Sequence, residues 1–177
     1  MNVGIHVLNW IPPPLLRRWA VLELSRVVAR ASGESPPSFS APDGPCAQFA
    51  LFSRDLAARA IASGATHDFA SCLRQGARDL GMRWRGRLNI HDVSDGMAAA
   101  QALYRLIGID FRADSQGRIE IVRCALSAVY SPEICAVMSA MDEGILAGLA
   151  GEGSLSFACR ITEGHPACMA RFVRRTA

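Results

Sequence analysis

The periodicity of the chain changes at Gly108, and that change sets the class of fold it can adopt. Before Gly108 the apolar residues recur at helical spacing, whereas "IDFRA", the turn "DSQG" and "RIEIVRC" after it alternate apolar and polar residues as a hairpin does. The alternation returns near the end, in "SLSFACRIT" and "ACMARFVRR", around a turn at residues 163–166. Between the two hairpins a helix is expected over Pro132 to Leu149, with Ile134, Met138, Met141, Ile145 and Leu149 on its core side. Helices, hairpin, helix, hairpin predicts an α+β fold: a helical layer packed on an antiparallel sheet made of hairpins 109–123 and 154–174.

Upstream, "PLLRRWAVLELSRVVARA" carries Leu15, Leu16, Trp19, Leu22, Val27 and Val28 as an apolar stripe, so an amphipathic helix is expected within residues 1–31. "SGESPPSFSAPDGP" is rich in Gly, Pro and Ser and reads as a linker over residues 32–45. The remainder, 46–177, reads as a single α+β domain. Its helices are expected over Cys46 to Ala62 and Thr66 to Trp84, with a third starting near Asp92 to Asp95, capped by Ser94 or Asp95, and ending at Gly108.

A chain of 177 residues and 19.0 kDa suffices for one well-filled core. Its net charge of +3 is too small to indicate nucleic acid, and "RWRGR" at residues 83–87 reads as a solvated helix end. All 19 basic residues are arginine, which excludes a lysine Schiff base or a phosphate-loop lysine. No apolar run reaches the roughly 20 residues that span a bilayer, so neither nucleic acid nor a membrane is an expected partner. The start of the chain lacks a charged leader pattern, and a cytoplasmic location is expected.

In that compartment six cysteines read as free thiols, metal ligands or catalytic groups. Four of them, Cys124, Cys135, Cys159 and Cys168, fall in the last third of the chain, at a strand end, a helix start and on the two strands of the final hairpin. Such positions can converge at one end of a sheet. Cys135 is the best placed for a thiolate, because a helix N-terminus favours the anion, and Asp142 lies two turns on along the same face. Core packing is the competing reading. Cys159 in particular shares a strand face with Leu155, Phe157 and Ile161, and Cys46 and Cys72 read as core or surface thiols.

The segment "VRCALSAVYSPEICAVMSAMDEGILAGLAG" with "SFACRITEGHPACMARF" resembles the C-terminal half of the L-2-amino-thiazoline-4-carboxylic acid hydrolase family, over roughly residues 92–173. The matching positions are Cys124, Cys135, Asp142, Gly164, Cys168 and Phe172. The same region is similar to vinyl-4-reductase-type domains, which bind small molecules and whose cysteines with a glutamate hold zinc. Two positions depart from these patterns: His165 stands where an aspartate follows the turn glycine, and Ser156 where the glutamate is expected.

The first resemblance implies a hydrolase that opens a cyclic isothiourea to a carbamoylated amino thiol. In that case Cys168 or Cys135 is nucleophile or metal ligand, Asp142 positions a proton or a substrate ammonium, and His165 is acid or base, unless it is a solvent-facing turn residue. The second implies a non-catalytic module with a metal, zinc or another thiophilic ion, held by Cys124, Cys135, Cys159 and Cys168. Both imply a small-molecule ligand or substrate as partner. A homodimer is left open.

Overall fold

The computed structural model describes residues 13–39, 44–114 and 116–175. Residues 1–12 of the expected first helix, 40–43 of the linker and Ser115 of the first turn lie outside them. Among the described residues there are five α-helices, α1 (Pro13–Ser32), α2 (Gly44–Ala62), α3 (Thr66–Arg87), α4 (Val93–Leu106) and α5 (Pro132–Ala150). Four strands accompany them: β1 (Ile109–Ala113), β2 (Arg118–Cys124), β3 (Gly153–Cys159) and β4 (Cys168–Arg174). Short 3-10 turns at Ala125–Ala128 and Ile161–Glu163 follow β2 and β3. This is the α+β architecture expected from the change of period.

The sheet order is β1-β2-β4-β3 and every pairing is antiparallel. The two hairpins are therefore joined through β2 and β4, with Ile121 opposite Cys168 and Ile119 opposite Ala170. Alternation along the strands turns Phe111, Ile119, Ile121, Cys168 and Phe172 toward the helices, where they are buried. Among the described residues no helix is long and apolar enough to cross a membrane.

Helix α1 buries Leu16, Ala20, Val21, Leu24, Val27 and Val28, a stripe at spacings of three and four, while Leu15 is 63% exposed. Val21, Leu24, Val27 and Val28 of this stripe belong to the same apolar cluster as Phe172 at the far end of the chain, so α1 packs into the core. Helix α4 is capped by Asp92, not by Ser94 or Asp95: the Asp95 N–H donates to its carboxylate at 2.8 Å. Helix α5 begins with Ser131 accepting from the Ile134 N–H at 3.2 Å and with Pro132 in its first turn.

Helix α5 is the centre of the molecule, in contact with α3 and α4 and with β3, β4 and the second 3-10 turn. Its seam with α3 brings backbone against backbone. A methyl group on Gly148 would lie 2.7 Å from Gly81 Cα, one on Gly144 would lie 2.8 Å from Ala77 Cβ, and one on Gly81 would lie 2.7 Å from the Ile145 carbonyl oxygen. Salt bridges of α3 with the α5 side, Arg74 to Glu143 at 2.8 Å and Arg78 to Glu152, flank this seam at the surface. The close approach fixes α5 over the sheet, and α5 carries Cys135 and Asp142.

Candidate ligand cavity at the end of the sheet

Where the N-terminal half of α5 faces the sheet, a cavity of about 50 Å³ remains, counted as the room open to the centre of a water molecule. That is several times the space one water needs. Apolar side chains supply most of its wall, among them Ile109, Ile121, Leu126, Met138, Met141 and Phe157. Cys124, Cys135, Cys168 and Asp142 also line it, so the structure brings together four of the positions singled out from the sequence. Cys135 and Asp142 share the face that their seven-residue spacing implied.

Asp142 is the only charged side chain among the described residues lining this cavity. One carboxylate oxygen accepts from the Tyr104 hydroxyl at 2.6 Å, and no side-chain or backbone donor among the described residues reaches the other. Burial pushes its pKa up to about 6, against the lowering effects of the Tyr104 hydroxyl and of the Arg160 charge. The Tyr104 ring is held in place by stacking on Phe111, with centroids 4.9 Å apart and planes 9° from parallel. Burial, with Asp142 beside it, carries the Tyr104 pKa well above the usual phenol value, so the hydroxyl stays a donor. On another wall the Tyr130 hydroxyl is 2.5 Å from Ser53 Oγ of α2.

The three cavity thiols are all shifted toward the neutral form. Burial pushes Cys124 up to about 11. It also raises Cys135, although the nearby Thr162 hydroxyl lowers it, and it raises Cys168, although the Ile161 N–H donates to Cys168 Sγ at 3.3 Å. The direction is opposite to that expected for Cys135 from its place at a helix start, because its side chain faces the apolar interior. Iodoacetamide at neutral pH is therefore expected to modify exposed Cys72 first, with Cys124, Cys135 and Cys168 reacting roughly tenfold more slowly or only on unfolding. Mass spectrometry of partially labelled protein reads the order.

Two predicted residues lie apart from the cavity wall. Cys159 donates to the Ala167 carbonyl at 3.5 Å and is half-buried. His165 sits exposed in the turn after the 3-10 segment, its backbone N–H donating to the Arg160 carbonyl at 3.3 Å. Among the described residues no three side chains of His, Cys, Asp and Glu form a group that could hold a metal ion. Of the four thiols implied as ligands of a thiophilic metal, Cys124, Cys135 and Cys168 line the cavity and Cys159 stands apart from it.

Tyr104 and Arg160 were not legible as site residues. Tyr104 sat in an apolar helical stretch, where the signal was a phenol on a buried face that needs a hydrogen-bond partner. Arg160 does not line the cavity but touches two residues of its wall, its guanidinium 4.3 Å from the centre of the Phe157 ring and donating weakly to Ser139 Oγ at 3.4 Å. Comparison of the chain with models of known protein families, with characterised proteins and with solved structures finds no match.

Proposed function

We propose that this chain is a small-molecule-binding domain whose cavity takes the N–H-donating or cationic end of a small, largely apolar ligand and holds it against Asp142. The observation that carries this reading is a lone, half-buried carboxylate with one oxygen tied to Tyr104 and the other lacking a protein donor, set in a mostly apolar wall. Burying a charge without a partner is unfavourable, and a ligand cation supplies the partner that the protein does not. The neutral thiols and the thioethers of Met138 and Met141 then serve as polarisable walls.

Benzamidine, benzamide and benzoate have nearly the same shape and differ in charge, so calorimetric titration with the three tests the reading. Benzamidine is expected to bind best and benzoate worst, and Asp142→Asn is expected to weaken benzamidine at least about tenfold, equivalent to about 1.4 kcal/mol. Equal binding of benzoate and benzamidine overturns it.

The hydrolytic reading is favoured by the same residue in a different role. A carboxylate with a pKa of about 6 suits a general base near neutral pH. In a bound 2-aminothiazoline, Asp142 would take a proton from water as the water oxygen bonds to the ring carbon between nitrogen and sulfur, and would return it to the sulfur as the C–S bond breaks, while the second water proton passes to the ring nitrogen as the carbonyl of the product forms. A free thiol would appear in solution. Thiol release by the wild type that is lost in Asp142→Asn makes the protein a hydrolase, whereas binding without thiol release leaves it a binding domain.

A further inference from the structure

The edges of the sheet are unlike. Edge strand β1 is five residues long, carries Asp110 and Arg112 and shifts register between Asp110 and Phe111. Arg112 lies 3.6 Å from Asp110 and 3.9 Å from Glu120. Charge and irregularity of this kind keep an edge from pairing with another strand. The opposite edge, β3, runs Gly153-Ser-Leu-Ser-Phe-Ala-Cys159 with no charged residue and no proline, and its one irregularity begins only after Phe157.

The register identifies which backbone groups that edge leaves free. The Arg175 N–H donates to the Glu152 carbonyl at 2.8 Å, which makes Glu152 and Arg175 a hydrogen-bonded pair. Antiparallel pairing alternates, so Ser154 and Ser156 bond to β4, and Gly153, Leu155 and Phe157 turn their N–H and C=O groups outward. The neighbouring ladder agrees: Phe172, opposite Leu155, donates away from β3 to the Gly117 carbonyl at 2.8 Å. No backbone bond outside the ladders engages Gly153, Leu155 or Phe157 among the described residues.

The geometry points to a second copy of this chain as the occupant of the β3 edge, paired antiparallel about a two-fold axis through Leu155. In that register Leu155 pairs with itself across the axis and Gly153 pairs with Phe157 of the second copy, so each outward donor and acceptor finds its complement. The irregular end of β3 stays outside the ladder. On the solvent face Ser154 falls opposite Ser156 of the second copy, and both are small and exposed. The result is one continuous sheet across two copies. The pairing uses only the strand and is independent of what the cavity holds.

Light scattering on the eluting full chain tests it. Wild type is expected at twice 19.0 kDa, and Ser154→Lys with Ser156→Lys, which sets lysine against lysine across the axis, is expected at 19.0 kDa with an unchanged circular dichroism spectrum. Ser154→Lys with Ser156→Glu sets each lysine against a glutamate of the second copy and is expected to restore the doubled mass. A register centred on Ser156 would instead set glutamate against glutamate. A monomeric wild type, a lysine–lysine variant that stays dimeric, or a lysine–glutamate variant that stays monomeric each overturns the assignment.

Discussion

Replacing Asp142 with asparagine is expected to stabilise the folded protein at pH 8, by on the order of 3 kcal/mol, in spite of removing the charge that the Tyr104 hydroxyl bonds to. The folded carboxyl keeps its proton up to about pH 6, while the unfolded chain releases it near 3.8. Between those values the folded state holds more protons than the unfolded state, so stability falls as pH rises through the window and remains reduced above it. Asparagine carries no charge, has nearly the same shape and still accepts from Tyr104. In a chain of this length the difference corresponds to roughly 6 to 12 °C in Tm. Urea unfolding of both proteins at pH 4 and pH 8 isolates the effect, since the other carboxylates cancel. A gain at pH 8 that disappears at pH 4 is the predicted result, and an equal or lower stability of the variant at pH 8 contradicts it. A residue that lowers stability where a neutral isostere would not is the kind found at functional sites.

The largest destabilisation is expected at the seam between α3 and α5. In a free helix, alanine is better than glycine by about 1 kcal/mol. At Gly144 and Gly148 the sign should reverse, because the added methyl group meets the backbone of α3: the Arg74 carbonyl oxygen for Gly144, and the Arg78 carbonyl oxygen and Gly81 Cα for Gly148. Backbone atoms packed on both sides have nowhere to go, so each substitution should cost about 3 kcal/mol or more, a large part of the total stability of a domain. Gly86 on α3 provides the control, since nothing lies within 4 Å of the methyl position there and alanine is expected to be neutral or stabilising. Thermal unfolding of the three variants decides it. Moving α5 off α3 would also displace Cys135 and Asp142, so loss of ligand binding should accompany the loss of stability at Gly144 and Gly148.

Local signals carried most of the fold. The hairpins, the helix that buries Ile134, Met138, Met141, Ile145 and Leu149, and the helix ends near Gly64 and Gly108 all followed from periodicity and turn residues. The joining of β2 to β4 is a pairing between segments far apart in sequence, which no local pattern specifies. The apolar stripe of α1 marked a packing face, but the Gly- and Pro-rich segment after it signals a loop and says nothing about what that face packs against. At the site, heptad spacing placed Cys135 and Asp142 together, because spacing along one helix is a local property. The state of the thiols was not legible, since desolvation depends on residues brought in from β2, β4 and the 3-10 turns. The tyrosine that holds Asp142 comes from another helix, 38 positions earlier.

Carbon NMR of the Asp142 carboxyl group through a pH titration reports whether its charge stands in the cavity unpaired by the protein. A midpoint of about 6 is predicted for the free protein, falling when benzamidine is present at saturation, because a cation beside the carboxylate favours the charged form. A midpoint near the ordinary 3.8, unmoved by benzamidine, would contradict it.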